Sequence, residues 1–586
     1  MDAPALIETI RRSVIGDDEA VAGPFGVRRV TYADYTASAR SLTFIEDYLR
    51  DAVLPLYANT HTESSGTGLQ TTRFRAEARQ IVKDAAGATD EHVVLFVGSG
   101  STAAVDRLVH VLGLRLPAEL DARYGLAARI PAAERPVVFI GPYEHHSNEL
   151  PWRESIADVI TIPEDADGRI DLARLEAELV RHAERPLKIG SFSAASNVTG
   201  ILSDTRVISV LLHRHGALAF WDFAAAAPYV EIEMAPHRPA PHRPAPDGAA
   251  DGAAEGSTDD AALDTKDAIF ISPHKLIGGP GTPGILVARR DLFRNRVPTV
   301  PGGGTVAYVN PTEHVYLDDV ERREEGGTPA IVESIRAGLV FGLKEAVGVE
   351  AIREREEDFI GRAIERWRAN QALEILGNPA LPRLSIVSFV VRHRGRYLHH
   401  NYVVALLNDL FGIQARGGCS CAGPYGHRLL GIDLERSHEF EREIARGCEG
   451  IKPGWVRVNF NYFISEAVFA FILDAVDLVA RDGWRLLPQY RFEPASGLWQ
   501  HRGGAPEPPL SLLDIRYEEG TMRYAAHRHR EPESRLADYL LEARALLAAP
   551  PPTPAGIAGP LDVGADFVHL RWFWLPSEAA EELASS

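Results

Sequence analysis

Seven short apolar runs between residues 93 and 288 place the tightest limit on how this chain folds. They are rich in β-branched residues, alternate with stretches of helical periodicity, and occupy Val93–Val97, Val137–Ile140, Val159–Ile162, Leu187–Phe192, Leu218–Trp221, Ala268–Ile271 and Ile285–Ala288. Continuously apolar strands separated by helices are typical of a parallel sheet that is covered on both faces. We therefore predict an α/β fold with a seven-stranded, mostly parallel sheet in a large domain.

Polar side chains follow five of these runs at the point where each run ends. They are the small-residue turn Gly98–Ala104, the segment Glu144–Asn148, the segment Ser196–Gly200, Asp222, and the pair His274 and Lys275. Ligands of open α/β sheets bind outside the carboxyl ends of the strands. The glycine-serine turn also opens a helix, whose free backbone N–H groups suit a phosphate. A phosphate turn, an imidazole, an amide, a carboxylate and an amine are therefore expected at one rim.

Lys275 lies between two apolar runs and is followed by the glycine-rich segment Leu276–Gly281. Lysine is among the residues least often buried, so this placement calls for a chemical reason. One interpretation is a surface lysine in a hairpin turn. The other is an amine that forms a Schiff base with an aldehyde cofactor such as pyridoxal phosphate. Each polar group on the rim has a structural alternative, such as a helix cap for Asp222, but their joint placement favours the cofactor site.

Length and charge restrict the class of protein. At 586 residues the chain is long enough for several domains, and its net charge of −19 argues against nucleic acid or an anionic membrane as the main partner. The start of the chain lacks the pattern of a signal peptide, and no apolar run is long enough to span a bilayer. Only three cysteines are present, Cys419, Cys421 and Cys448, which excludes a disulfide framework. We expect a cytoplasmic enzyme.

Changes in pattern along the chain predict four parts. Residues 1–30 form an N-terminal arm, 31–330 the large domain, 331–485 a small α+β domain, and 486–586 an extension of unclear role. A low-complexity, Pro-rich insertion at 236–260 interrupts the large domain and is expected to be peripheral. A single long amphipathic helix is predicted from about Ile331 to Arg362. Within the extension, only Ser534 to Leu547 has clear helical periodicity.

Taken together, the motifs resemble the cysteine desulfurase and selenocysteine lyase branch of the class V aminotransferases, which are pyridoxal phosphate (PLP) enzymes of fold type I. The likeness covers roughly residues 30 to 480. It rests on Glu144–Asn148 with Pro151 and Trp152 after it, Ser196–Gly200, Asp222, Ser272–Lys275, Gly302–Thr305, Gly327–Pro329, and Arg416 followed five residues later by Cys421.

The resemblance implies a role for each matching residue. Lys275 would hold PLP through a Schiff base and move the substrate proton, Asp222 would pair with the pyridine nitrogen, and His145 would stack on the ring. The remaining implied contacts are Ser101, Thr102, Ser272 and His274 at the phosphate, Thr305 at the phosphate of a neighbouring subunit, and Asn197, Arg416 and Arg457 at the substrate. A homodimer with shared sites and a small amino-acid substrate are expected, with Asn197 also near the cofactor.

Cys421 decides the expected reaction. In the family a cysteine at this place attacks the substrate sulfur as a thiolate, becomes a persulfide and releases alanine, and a sulfur-acceptor protein is then a further expected partner. Two alternatives remain open at this point. Cys421 is an inert, buried small residue, or it joins Cys419, His427 and Cys448 in a metal cluster, although the spacing lacks the paired C-x-x-C form of zinc sites, so no metal is predicted.

The sequence departs from the family pattern at Ala225, where the family commonly has a glutamine that contacts the PLP hydroxyl. Altered reaction specificity is therefore an alternative. The chain would then be a class V aminotransferase or a C–S or C–C lyase that acts on another amino acid without Cys421. An alternative of another class is a PLP-fold scaffold that serves as a sulfur-relay or binding partner.

Overall fold

The computed structural model describes residues 3–60, 62–235, 263–504, 508–554, 557 and 563–585. The predicted Pro-rich insertion at 236–260 lies outside the described residues. The chain divides into two compact units. Unit 1 comprises Met1–Ser13, Thr36–Glu354 and Leu381–Leu384, and unit 2 comprises Val14–Tyr35, Arg355–Ala380 and Ser385–Ser586. Among the described residues, no helix has both the length and the apolar character needed to cross a bilayer.

Unit 1 is built on the predicted seven-stranded sheet. From one edge to the other its strands are His92–Val97, Gly284–Arg289, Ala268–Ile271, Leu218–Asp222, Lys188–Ser193, Val137–Ile140 and Asp158–Thr161. Only Gly284–Arg289 runs antiparallel to its neighbours, and the other pairs are parallel. The predicted fold class is confirmed. The strands form because their apolar side chains are buried on both faces of the sheet.

Helices surround this sheet within unit 1. They are Ala3–Ser13, Thr43–Tyr48, Gly66–Ala85, Gly100–Val111, Ala118–Tyr124, Leu150–Arg153, Leu172–Arg181, Thr205–Arg214, Val320–Glu324 and Ile331–Val347. Several begin where a side chain accepts a hydrogen bond from a first-turn N–H group, as at Ser65, Asp171 and Asp204. A two-stranded hairpin, Val306–Val309 with His314–Tyr316, follows the segment Gly302–Thr305.

The single long helix predicted from Ile331 to Arg362 is wrong. The structure has two helices, Ile331–Val347 and Val349–Arg368, which are separated at Gly348. Gly348 has a φ of +85°, and its N–H group donates to the Lys344 carbonyl (3.0 Å). A glycine in this conformation ends a helix, whereas the amphipathic periodicity runs through it without a break. Hydrophobic spacing alone therefore could not reveal the interruption.

Unit 2 contains a second, mostly antiparallel sheet. Its strands are Leu373–Ile375, Ile386–His393, Trp455–Asn459 and Arg416–Gly418 in that order, with Arg396–Leu398 paired to Ile386–His393. The accompanying helices are His400–Phe411, Gly423–Leu429, Leu434–Ala445 and Glu466–Asp482. A short hairpin, Ala20–Gly23 with Gly26–Arg29, and the pair Thr31–Tyr32 with Ile413–Gln414 also belong to this unit.

The C-terminal extension packs within unit 2. Its elements are the hairpin Tyr490–Glu493 with Leu498–His501, the hairpin Arg516–Glu518 with Thr521–Arg523, and the helices Leu536–Ala548, Ala565–Leu570 and Pro576–Ser585. The first of these helices corresponds to the predicted one. The other elements are short, so their sequences carry little periodicity, and the first hairpin is held by aromatic contacts such as Phe492 with Phe573.

Candidate active site

A tight turn at the start of the helix Gly100–Val111 forms the first part of the site in unit 1. Gly100 has a φ of +57°, and a Cβ atom placed there would lie 2.9 Å from the hydroxyl of Ser272. The backbone N–H group of Ser101 donates to that same hydroxyl (2.8 Å). Glycine is therefore required at residue 100, because a side chain would push Ser272 away from the turn.

Asp222 and Lys275 lie close together after neighbouring parallel strands. Asp222 is buried, and its carboxylate accepts a hydrogen bond from the Ala224 N–H group (2.8 Å). Burial raises the pKa of Asp222, whereas the Ala224 N–H group, the Lys275 ammonium and the Ser101 hydroxyl lower it. A carboxylate and an amine thus face the same small space, with Ser101 beside them.

His274 is the second residue of the turn that carries Lys275. Burial and the neighbouring Lys275 ammonium lower the pKa of His274 to about 4. Its Nδ1 atom lies 3.1 Å from the hydroxyl of Ser38. His274 is therefore neutral at neutral pH and can offer a hydrogen bond to an anion, but no positive charge.

His145 is held in one orientation by the residues that follow it. Its Nδ1 atom accepts a hydrogen bond from the Ser147 N–H group (3.1 Å) and lies 3.0 Å from the Ser147 hydroxyl. The Ser147 hydroxyl in turn lies 2.6 Å from the Thr102 hydroxyl. In the neutral ring the proton is therefore on Nε2. Ser147 links the predicted stacking residue to the predicted phosphate turn, a role that sequence reasoning missed.

Glu144 is a second residue that sequence reasoning left without a role. Its carboxylate is buried and accepts four hydrogen bonds, from Gly141 N (3.2 Å), Asn148 Nδ2 (2.7 Å), Ser193 N (2.9 Å) and Ser193 Oγ (2.6 Å). These bonds tie the segment before His145 to the end of the strand Lys188–Ser193. Burial raises the pKa of Glu144 to about 7, against the effect of the Ser193 and Asn148 hydrogen bonds.

This pKa predicts how stability depends on pH. Between about 4.5 and 7 the folded chain keeps the Glu144 proton that the unfolded chain releases, so the free energy of unfolding falls as pH rises. The contribution amounts to about 3 kcal/mol. The melting temperature of Glu144→Gln minus that of the wild type should therefore increase from pH 5 to pH 7 and then level off. Glu184→Gln, at an exposed position, is the matched control, and a flat difference for Glu144→Gln would contradict the prediction.

Asn197 and Thr305 complete the predicted positions in unit 1. Asn197 is buried in the loop after Lys188–Ser193. In this loop the Ser196 hydroxyl accepts hydrogen bonds from the N–H groups of Val198 (3.2 Å) and Thr199 (3.1 Å). Thr305 is fully buried, and its hydroxyl donates to the Gly302 carbonyl (2.7 Å). Both residues are therefore held on structured loops.

Arg416 and Arg457 are neighbours in unit 2. They lie directly opposite each other on adjacent antiparallel strands. Arg457 is buried, and its Nη2 atom donates to the Asp34 carboxylate (2.8 Å). Burial lowers the pKa of Arg457, whereas Asp34 raises it. Two adjacent guanidinium groups suit a carboxylate ligand, and Asp34, which sequence reasoning missed, holds one of them in place.

Cys421 is part of a tight turn that directly follows the strand Arg416–Gly418. The Ala422 N–H group donates to the Cys419 carbonyl (3.0 Å), and the two central residues, Ser420 and Cys421, have φ values of 50° and 57°. These features define a type I′ turn, which normally contains glycine or asparagine. Within the part of the chain that the structure describes, no group of three or more His, Cys, Asp or Glu residues is arranged to hold a metal ion.

Comparisons with known proteins agree with this architecture. The family model for aminotransferase class V matches residues 31–237 and 249–437. The chain belongs to the aminotransferase class V family. A probable cysteine desulfurase from Staphylococcus aureus (strain COL) is 25% identical over 401 residues, which is 68% of this chain and 84% of that protein. A probable cysteine desulfurase from Staphylococcus epidermidis (strain ATCC 12228) is 25% identical over 417 residues, or 70% of this chain and 88% of that protein.

Solved structures show the same fold. The apo cysteine desulfurase from Thermococcus onnurineus NA1 has a TM-score of 0.60 at 22% identity and covers 81% of this chain and 98% of its own. A cysteine desulfurase from Escherichia coli has a TM-score of 0.55 at 19% identity and covers 76% of this chain and 94% of its own. The family model ends at residue 437, so the extension lies beyond the part of the chain that it matches.

The chemistry of the site fits the cofactor that enzymes of this family use, pyridoxal phosphate. Asp222 offers an anion for the pyridine nitrogen, Lys275 an amine for the aldehyde, and the turn at Gly100 and Ser101 a place for the phosphate. His145, with its ring orientation fixed, offers an aromatic face. Each part of the cofactor thus has a chemically matched group within unit 1.

Proposed function

We propose that this protein is a PLP-dependent enzyme of the cysteine desulfurase type, which removes sulfur from L-cysteine or a related amino acid and releases alanine. Family membership supports the class of enzyme. The observation that carries the reaction is Cys421, a cysteine held in a left-handed conformation on a turn next to Arg416. Such backbone strain is retained at sites where it serves a function.

In this proposal the residues of the site have distinct tasks. When bound, PLP supplies the electron sink for bond cleavage next to the amino group. Lys275 holds the cofactor and moves a proton at its Nζ atom, and Asp222 keeps the pyridine nitrogen protonated. Ser101, Thr102, Ser272 and His274 hold the phosphate, and His145 orients the ring. Cys421 receives the sulfur as a persulfide.

The substrate carboxylate is assigned to Arg416, Arg457 and Asn197. Arg457 is held by Asp34, so its guanidinium group has little freedom to rotate. An arginine whose geometry is fixed before binding loses little entropy when it binds a carboxylate with two parallel hydrogen bonds. This arrangement favours an amino acid as substrate over an amine without a carboxylate.

The proposal includes a cytoplasmic homodimer with shared sites and a sulfur-acceptor partner. The three cysteines are free, which is consistent with a reducing compartment. The hairpin after Thr305 exposes Tyr308, Val309 and Val315, whose side chains are each at least 59% accessible, so apolar surface is available next to this residue for a second subunit.

Cys421→Ala tests the proposed reaction. With L-cysteine and a reductant, the wild type should release alanine and sulfide, and the variant should release alanine at least about 100-fold more slowly because its nucleophile is missing. The cofactor absorbance should not change. Cys448→Ala is the matched control, since this cysteine lies on another loop. Unchanged alanine release in Cys421→Ala would refute the persulfide reaction.

A second candidate function is favoured by Ala225, which is buried and replaces the glutamine of the family pattern. Without that amide, the PLP hydroxyl is held differently, and the chain would then be a class V aminotransferase or a C–S or C–C lyase for another amino acid. This candidate predicts that turnover does not depend on Cys421. Screening amino acids for a change in the cofactor spectrum would identify the substrate.

A further inference from the structure

The C-terminal extension contributes one wall of a cavity beside the turn Cys419–Ala422 in unit 2. The tip of its first hairpin, residues 494–497, is fixed to the loop at Glu449 and Gly450. Gly450 N donates to Pro494 O (2.8 Å), and Glu449 N donates to Ala495 O (3.2 Å). The Asn401 side chain donates to Gly497 O (2.9 Å). Three hydrogen bonds therefore hold this tip in place beside the cavity.

This space, which we call the Cys419 cavity, has a volume of about 440 Å³. Its wall includes Cys419, His400, His427, Ser437, Lys452 and, from the hairpin tip, Ser496. Among the described residues that line it, Cys419 is the only cysteine, and Cys421 is absent. Pockets of about 300–1,000 Å³ hold small molecules and are too small for a protein domain. The cavity therefore fits a small acceptor.

The turn that carries both cysteines brings them near each other. Cys419 is the first residue and Cys421 the third residue of the type I′ turn. Two Cα atoms that are two positions apart in sequence lie at most about 7 Å from each other, and less where the chain reverses. Sulfur atoms on such positions come within reach of each other by side-chain rotation, since disulfides span Cα distances of about 4.4–6.8 Å.

His427 lines the same cavity as Cys419 and is the candidate base for its thiol. Burial lowers the pKa of His427, so its imidazole is neutral at neutral pH and can accept a proton. Its Nδ1 atom lies 3.4 Å from the Ser437 hydroxyl, which also lines the cavity. Burial lowers the pKa of His400 to about 3, so this residue adds no charge. The Lys452 ammonium in the same wall is paired with the Glu449 carboxylate, which also lines the cavity.

We propose that Cys419 is a second sulfur carrier, which takes the sulfur from Cys421 and presents it to a small nucleophile, such as a low-molecular-weight thiol, in the Cys419 cavity. This inference rests on the proposed function. The Cys419 thiol gives its proton to His427, and the thiolate attacks the outer sulfur of the Cys421 persulfide. The bond between that sulfur and Cys421 Sγ breaks, and its electron pair stays on Cys421 Sγ, which takes the proton from His427. No external oxidant or reductant is consumed.

The position of the added sulfur tests the relay. The full-length holoenzyme is mixed with L-cysteine in the absence of reductant, alkylated with iodoacetamide and mapped by tandem mass spectrometry. The added sulfur is expected mainly on Cys419 in the wild type, on Cys421 in Cys419→Ser, and on neither residue in Cys421→Ser. Sulfur found only on Cys421 in the wild type, with alanine release lost in Cys421→Ser, would overturn the relay and leave the proposed function intact. Alanine release that persists in Cys421→Ser would overturn both.

Access through the cavity is tested without turnover. In cofactor-free protein, Ser437→Leu places a larger side chain in the cavity wall and should slow the alkylation of Cys419 by iodoacetamide at least tenfold. Alkylation of Cys448, which does not line the cavity, should keep its rate and serves as the control for correct folding. An unchanged rate at Cys419 would overturn the cavity as the route to this thiol.

With 2-mercaptoethanol as acceptor, Cys419→Ser should also release sulfide at least tenfold more slowly, whereas Cys448→Ser should match the wild type.

Discussion

Lys275→Ala is expected to lower turnover at least about 1,000-fold and to release the cofactor during gel filtration. The amine is the only group in the proposed site that can bond covalently to the aldehyde, and it is also the proposed base that moves the substrate proton. General acid–base catalysis alone contributes about 10²- to 10⁴-fold. Both losses follow from the removal of one nitrogen atom, while the surrounding turn Pro273–Lys275 keeps its backbone hydrogen bond from Lys275 N to Ser272 O (3.0 Å).

Two measurements separate this result from general damage to the fold. The absorbance of bound PLP after gel filtration reports cofactor retention, and alanine release from L-cysteine reports turnover. Lys188→Ala is the matched control. Lys188 begins a strand of the same sheet, and the hydrogen bond that the structure shows for its Nζ atom is to the Ala183 carbonyl (3.1 Å). A Lys275→Ala protein that retained PLP and turned over like the control would refute the assignment of Lys275.

The large sheet was predictable because most of its strands are buried on both faces. Such a strand must be apolar at every position, so the run Val93–Val97 or Ala268–Ile271 shows its extent directly. The break at Gly348 was not predictable, since the helices on either side keep the same amphipathic spacing. The elements of the extension beyond Ala548 were missed for a related reason. The segment between the last two helices, for example, makes contacts with distant aromatic side chains, such as Phe573 with Trp499, which local periodicity does not reveal.

The site shows the same division between local and long-range information. Residues that follow a strand end, such as Asp222 and Lys275, could be found because parallel strands share one carboxyl edge. Asp34 could not be found, because it meets Arg457 across 423 positions of sequence. Glu144 belongs to the motif Glu144–Asn148, but its role depends on distant contacts, because two of its four hydrogen bonds come from Ser193 at the end of a strand. The residues proposed to bind the cofactor can thus be predicted from the sequence, whereas the residues that hold them in place depend on tertiary contacts.

Asp222→Asn should lower turnover by about 100- to 1,000-fold while the cofactor remains bound. The variant keeps the size and the hydrogen bond from Ala224 N but removes the negative charge opposite the pyridine nitrogen. Loss of one partner of a buried ion pair costs about 3–5 kcal/mol, and each 1.4 kcal/mol corresponds to a tenfold change in rate. Burial raises the pKa of this carboxyl group, and a protonated ring nitrogen beside it would lower that pKa and favour the charged form.

The control for this last variant is Asp267→Asn, at a fully buried carboxylate on the same sheet. Asp267 pairs with His213 (2.9 Å) and Arg289 (2.7 Å) and has no role in the proposed site. Its loss should lower the melting temperature, because it removes the buried charge that pairs with His213 and Arg289, yet kcat for the folded protein should stay near that of the wild type. The two variants thus distinguish a buried charge that supports the fold from one that supports the reaction. Equal effects of both on kcat would show that Asp222 acts only through stability, and that another group balances the charge of the ring nitrogen.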